Sequence, residues 1–468
     1  MNSITNTMSV TERRAALSLA MIYSLRMLGL FMILPVFSLY AENLADATPV
    51  LIGLVLGIYG FTQALLQIPF GMLSDRVGRK PVIIGGLVIF ALGSVVAAAA
   101  DTIWMVLLGR AIQGAGAIAA AVMALAADLT REEQRTKMMA SIGMSIGFAF
   151  MLAMVLGPIL EQWVGVPGIF LLTAVLAVLG IGVVVFIVPT PAQSRMHRDA
   201  QTVPSQIQSV LRNTNLVRLD FGIFSLHFIL MASFLVLPLI LSKEVKFPVA
   251  EHWTLYLPVL VLSVLAMVPL IILAEKYHQM KRVFIAAVLT IAVTQLAFYW
   301  VSVSFWLMAG VLWVFFIAFN LLEATLPSLI SKIAPPDSKG TAMGVYSTSQ
   351  FLGTFLGGIL GGVVYNEFGL QAVFILNGLV ASVWFSIALG MKNPRYLSNY
   401  VLNVGVTDQH TAQHLSVQLT LIRGVAEVVI LAEEGIAYLK VDQKALDKEA
   451  LLAYSKNEWK GDGIAVCK

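Results

Sequence analysis

Six residues are chemically at odds with their surroundings. Arg26, Arg110, Gln113, His227, Asn320 and Glu323 lie inside runs that are otherwise almost entirely apolar. A charge held at the centre of a hydrocarbon layer costs about 2.5–3.5 kcal/mol or more, so such groups either pair or bind something. Arg26 in the first run and Glu323 in a later one lie at similar depths from the same side. A carboxyl and a guanidinium so placed can face one another, or share water and a solute between them, and the carboxyl can take up and release a proton. Asn320 adds a hydrogen-bonding amide one turn before Glu323, and His227 an imidazole able to donate or accept a hydrogen bond. Bracing of helices by buried pairs is the alternative for all of them. Asp220 lies so near the start of its run that sequence does not separate it from a surface acid.

Other chemistries are poorly served. The chain of 468 residues holds no Gly-x-x-x-x-Gly-Lys-Ser/Thr loop, so ATP is not its direct energy source. It shows no nucleophile–base constellation, and an enzyme is not expected. Its single cysteine, Cys467, excludes an intrachain disulfide and a cysteine metal cluster. His410 and His414 are four apart, yet without cysteines or carboxylates nearby they read as a solvated helix face. Neither a metal nor a cofactor is expected. The net charge of +4 carries no nucleic-acid signal, because the bases flank apolar runs.

The elements that position these residues follow from hydropathy. With 59% hydrophobic residues, 12% charged and a mean hydropathy of +0.86, most of the chain has to face lipid. Twelve runs are long enough to cross a bilayer as helices: 15–40, 50–73, 81–100, 103–128, 138–162, 167–189, 217–242, 253–275, 282–302, 305–332, 340–364 and 371–391. Nineteen Lys and Arg, from Arg13 to Arg395, flank them on one side, against Lys243 and Lys246 on the other. That asymmetry puts the basic side and both termini in the cytoplasm. The loop Pro189–Asn215 divides the spans six and six, giving a tail 1–14, a half 15–189, a linker 190–216 and a second half 217–392.

The shortest basic hairpin reads Gly71-Met-Leu-Ser-Asp75-Arg76-Val-Gly78-Arg79-Lys80. Its glycines permit a tight reversal and its bases hold it on the cytoplasmic side. Leu273 to Arg282 is a weaker echo one half later, as in transporters built from two repeats. The hairpin resembles the loop between helices 2 and 3 of the major facilitator superfamily. Arg110 to Gly116 in helix 4, Asp128-Leu129-Thr130 with Arg135, and Pro335 to Gly340 resemble further motifs of that family.

The resemblance implies a central cavity lined by helices 1, 4, 7 and 10, to which Arg26, Arg110 with Gln113, His227, and Asn320 with Glu323 would belong. It also implies that Asp75 approaches the start of helix 11 near Gly340, while Arg76 or Arg79 pairs with Asp128. Such contacts, made in one state only, would form a conformational switch with Gly71, Gly78 and Lys80. Gly143, Gly147 and Gly157-Pro158 in helix 5 resemble an antiporter motif, the glycines packing closely on helix 8. Glu161-Gln162 stands where that motif usually has two glycines.

After Lys392 the texture becomes that of a water-soluble domain, 395–468. Tyr400–Gly405, a helix capped by Asp408 and running to Ile422, Val425–Leu431, Ile436–Val441 and a helix over Asp447–Tyr454 give βαββα, with a last strand at Ile464–Val466. That order is ferredoxin-like. The domain resembles heavy-metal-associated domains but lacks the two cysteines in the loop Val406–His410. The expected protein is therefore an all-α membrane protein of twelve transmembrane helices in two six-helix halves, with a small α+β ferredoxin-like domain. It is expected in a bacterial inner membrane as a secondary transporter exchanging protons for a small amphipathic compound. Uptake of a metabolite, with Arg26 on an anionic group, and a sensor acting through the C-terminal domain are the alternatives. The expected partners are the lipid bilayer, protons, a small-molecule substrate and, through the C-terminal domain, a second copy of the chain.

Overall fold

Ser9 sets the start of the first helix. Its hydroxyl accepts from the Glu12 N–H while the Glu12 carboxylate accepts from the Ser9 N–H, a reciprocal capping box. The computed structural model describes residues 8–190, 203–301, 304–335, 338–391, 398–405, 408–432, 435–442 and 445–455. Helix α1 runs Val10–Phe31 and then breaks before a short α2, Phe37–Ala41, so the single span expected over 15–40 is interrupted. Pro35, which has no N–H to donate, lies in the break.

Helices α3 (Pro49–Val77) and α4 (Arg79–Ala98) are joined by Gly78 alone, at φ 106°, a left-handed conformation that glycine adopts without a Cβ clash. The fourth expected span is split into α5 (Ile103–Ala115) and α6 (Ala119–Asp128). The fifth and sixth are one element, α7 (Glu132–Gly182), kinked at Gly165 (φ 66°, ψ 175°) and continued by a π turn over Val183–Ile187. The linker contains a helix, α8 (Pro204–Arg212), that was expected as loop. There follow α9 (Thr214–Lys243), α10 (His252–Lys276), α11 (Met280–Val301), α12 (Phe305–Ile333), α13 (Lys339–Phe368) and α14 (Ala372–Leu389). Eleven elements are long and apolar enough to span; since α7 holds two spans, the described residues make twelve.

The two halves meet where α3 crosses α13, and small residues make that crossing possible. A Cβ on Gly53 would lie 2.1 Å from the Gly358 carbonyl oxygen, and one on Gly57 2.7 Å from that of Phe355. The other face of α13 uses Gly353 and Gly357 to approach the backbone of α9 at Phe224 and Phe228.

Beyond the spans, β1 (Ser398–Asn403), α15 (Gln409–Thr420), β2 (Val425–Leu431), β3 (Ile436–Val441) and α16 (Lys448–Leu452) form the small domain. Its sheet has the order β1-β3-β2, antiparallel throughout, as in a ferredoxin-like fold. Leu402, Leu419, Ala437, Leu439, Val441 and Leu451 make its core. Asp408 caps α15 by accepting from the Thr411 N–H, and that bonding holds its carboxyl below the ordinary aspartate range. The fourth strand expected at Ile464–Val466, and Cys467, lie outside the described residues.

Lys440 fastens this domain to the membrane part. Its Nζ donates to the carbonyls of Ala334 (2.9 Å) and Lys332 (3.2 Å) at the C-terminal end of α12, and pairs with Glu427 at 3.1 Å. A cation there caps orphan carbonyls and meets the negative end of the helix dipole, worth up to about 2 kcal/mol when partly buried. Ending the chain after Lys392 should therefore leave the membrane part folded, weakened by no more than about 2 kcal/mol, and still able to transport. Thermal unfolding in detergent and flux in vesicles check this. A well-folded truncation with no flux would make the domain essential.

Candidate functional site

In the second half, α9, α12 and α13 bring three polar side chains together. The Glu323 Oε2 lies 3.8 Å from the His227 Nε2, and the Gln350 amide nitrogen lies 2.7 Å from the same ring nitrogen. Gln350 donates, so the neutral ring accepts at Nε2; a protonated ring would instead offer that N–H to Glu323. Glu323 is ten residues from Ile333 at the C-terminal end of α12, a rise of about 15 Å, which is half of a hydrocarbon core of about 30 Å. Its side chain is 38% exposed and that of His227 13%. Asn320, one turn away, donates to the Ser263 hydroxyl of α10 at 2.9 Å.

Aromatic rings wall this polar centre and tie it to the first half. His227 lies 6.2 Å from Phe319, Phe319 stacks 6.4 Å from Phe150 of α7, and Phe150 meets Phe31 of α1 edge-on at 5.1 Å. A titratable carboxyl beside such a wall suits a solute with an apolar body and one polar end.

The first half does not supply the facing base. Arg26 is wholly buried and bonds within its own half, donating to Tyr59 Oη (2.8 Å), Gln63 Oε1 (2.7 Å) and the Gly116 carbonyl (3.1 Å). That carbonyl makes no helical bond, because the chain is non-helical between α5 and α6, and it also accepts from the Ile118 N–H at 3.0 Å. Arg110, 1% exposed, donates to Gln113 Oε1 at 2.9 Å and lies over the Tyr59 ring at 5.1 Å, while Gln113 donates to Ser94. The expected meeting of Arg26 with Glu323 is thus replaced by two arginines braced around Tyr59. Desolvated cation–π contacts and charged hydrogen bonds, about 1.5–3 kcal/mol for each bond, offset the burial of such groups.

At the basic hairpin Arg79 is the hub. Its Nε lies 3.1 Å from Asp128, and its Nη1 donates to Ser74 Oγ at 2.8 Å and to the Asp75 carboxylate. Lys80 donates to the Val188 carbonyl at 2.7 Å, and Gly71 faces Ala120. Arg76 is at the end of α3, in its last turn. The expected approach of Asp75 to the start of helix 11 is not what holds that helix here. The first turn of α13, with Gly340 buried, is held by the linker: Thr341 accepts from the Val203 N–H and donates to Gln206.

At the opposite ends of the helices the two halves are joined by hydrogen bonds. Glu42 accepts from Lys243 (2.7 Å) and from Tyr365 (3.3 Å), and Gln162 donates to the Ala250 carbonyl. The helix 5 glycines fit this arrangement and correct another expectation. Gly143 and Gly147 face open space and not helix 8, whereas Gly157 packs on the Met32 carbonyl in the break after α1, one residue before Pro158.

Sequence reading missed Gln350, Phe150 and Phe319, and gave Gln63 and Tyr59 no role with Arg26. Only Gln63 carried a signal, as a polar residue in an apolar helix.

Comparison with known proteins agrees with this architecture. The sequence profile of the Major Facilitator Superfamily matches residues 19–355 and again 219–400. The chain is 47% identical over 442 residues, 94% of its length and 97% of the relative's, to the inner membrane transport protein YajR of Escherichia coli (strain K12). It is 24% identical, over 72% of its length and 84% of the relative's, to the multidrug resistance protein MdtH of Yersinia enterocolitica. Among solved structures, a bacterial homologue of the human lysosomal transporter Spinster superposes with a TM-score of 0.65 at 15% identity, covering 82% of this chain and 97% of that one. Twelve spans and these matches together place the chain: it belongs to the Major Facilitator Superfamily.

Proposed function

We propose that this transporter exchanges protons for a small amphipathic compound, moving the compound out of a bacterial cytoplasm by alternating access. The observation that carries the reading is the pair of Glu323 and His227 at mid-membrane, beside the Phe319–Phe150 wall. Glu323 is the proton carrier. His227 has two partners, Gln350 when neutral and Glu323 when protonated, and so adjusts to the charge on the acid. A solute docking on the aromatic wall competes with the proton for the carboxylate.

The basic side is assigned to the cytoplasm on loop charge. Arg26, Arg110 and Gln113 keep the first half rigid, and Asp75, Arg79 and Asp128 act as the inner latch, the aspartate changing partners when the inner side closes. Uptake of an anionic metabolite is less well supported, because the arginine it required is wholly buried. The multidrug resistance name of one relative agrees with export.

The test uses the full chain in sealed vesicles. Compounds that raise its unfolding temperature are loaded, and their efflux is followed with and without a pH gradient. The proposal expects a gradient acid outside to speed net efflux of at least one of them. Efflux of every stabilising compound that is indifferent to pH would refute proton exchange.

A further inference from the structure

Asp220 is a buried acid for which the mechanism above has no use. It is 6% exposed on α9, and neither carboxylate oxygen has a hydrogen-bond partner among the described residues. His227 is seven residues on, on the same helical face. On α13, Tyr346 and Gln350 are four apart and likewise share a face. The two helices run in the same direction and touch through Gly353 and Gly357. The side chains thus form two rungs. His227 and Gln350 meet on the upper rung beside Glu323. Asp220 and Tyr346 form the lower rung, each about 10 Å from the inner end of its helix at a rise of about 1.5 Å per residue.

Tyr346 lies within electrostatic reach of both Glu323 and Asp220 and is hydrogen-bonded to neither. Five buried atoms along this seam have no hydrogen-bond partner among the described residues: both Asp220 oxygens, the Tyr346 hydroxyl, Glu323 Oε2 and His227 Nδ1. Native interiors leave few such atoms, so five in one seam mark a route for exchangeable protons. Among the described residues no base pairs with the lower rung. Arg218, two residues from Asp220, donates to the Gly390 carbonyl, and Arg212 of α8 is exposed. From α14 the neighbouring polar group is the indole of Trp384, against Gly222.

Resting on the proton-coupled reading, we propose that Asp220 is a second proton-binding residue, the inner station between Glu323 and the basic side, with Tyr346 as the relay. In the transfer the Glu323 O–H bond breaks as its proton passes, through one bridging water, to the Tyr346 oxygen. The Tyr346 O–H proton passes in the same way, through a second water, to the Asp220 carboxylate. Tyr346 ends neutral, Glu323 is left ionised, and Asp220 then loses its proton to water on the inner side. One proton moves and only O–H bonds change.

Infrared difference spectra of the full-length protein in membranes test this with protons as the only probe. The native protein should show two carboxyl bands on pH titration, one lost in Glu323→Gln and the other in Asp220→Asn. After a pH jump on the inner side, the Glu323 band should respond about 10²-fold more slowly in Asp220→Asn and in Tyr346→Phe, the scale of a lost proton-transfer group. Asp220→Glu should restore the rate. A native-rate Glu323 response in Asp220→Asn, or in Tyr346→Phe should the first variant fold poorly, would overturn the proposal. Failure of the underlying reading looks different: the Glu323 band itself would be missing from the native titration.

Discussion

Replacing Glu323 with Gln should leave a folded protein that binds its solute but no longer couples to a pH gradient. The amide keeps the volume of the side chain and its place 3.8 Å from the His227 ring, so packing is conserved. It cannot bind and release a proton. Coupling between two ligands at one site is typically about 1–3 kcal/mol, or about 5–150-fold in affinity. The native protein is therefore expected to lose affinity for the solute by a factor in that range as the pH falls, and Glu323→Gln to show a flat profile. Binding measured by tryptophan fluorescence across pH, with gradient-driven flux in vesicles, checks both. A variant that still concentrates solute on a pH gradient would remove Glu323 from the mechanism.

The second large effect concerns the crossing of α3 and α13. Gly53 meets backbone atoms of Gly358 and Gly362 across the boundary between the halves, with no flexible side chain to give way. Gly53→Leu should therefore block close approach of the halves on the Asp46 and Gly369 side while leaving each half packed. Overfilling a tight contact costs about 1–3 kcal/mol, occasionally more, which shifts a two-state population by about 5–150-fold. Spin labels on the loops near Asp46 and Gly369 should report longer distances, and flux should fall in proportion to the lost closed state. Gly143→Ala, where a Cβ would meet nothing within 4 Å, is the matched control and should be silent. Unchanged distances with normal flux would show that this crossing does not move in the cycle.

How much of this was legible beforehand depended on the kind of information. Span positions were readable because hydropathy and length are local. The elements of the small domain were readable too, because Asp408, Gly424 and the alternating strands mark their own ends. The breaks were not. A stop at Met32–Val36 and a gap at Gly116–Ile118 depend on tertiary partners, Gly157 packing in the one and Arg26 bonding in the other. Arg26 illustrates the limit well: sequence shows that a buried cation needs partners, yet Tyr59 and Gln63 are 33 and 37 residues away. Glu323 was found as an isolated acid, whereas Gln350, an amide among many, gave no sign of its meeting with His227. The glycines of the α3–α13 crossing did leave a trace, as Gly53, Gly57 and Gly60 at helical spacing.

The central claim is that solute and proton compete at Glu323. It is tested most directly by adding a stabilising solute to purified protein in weakly buffered solution and reading the pH. Binding to the native protein should release protons, and binding to Glu323→Gln should release none. Solute binding with no pH change in the native protein, or equal release from both proteins, would contradict the account.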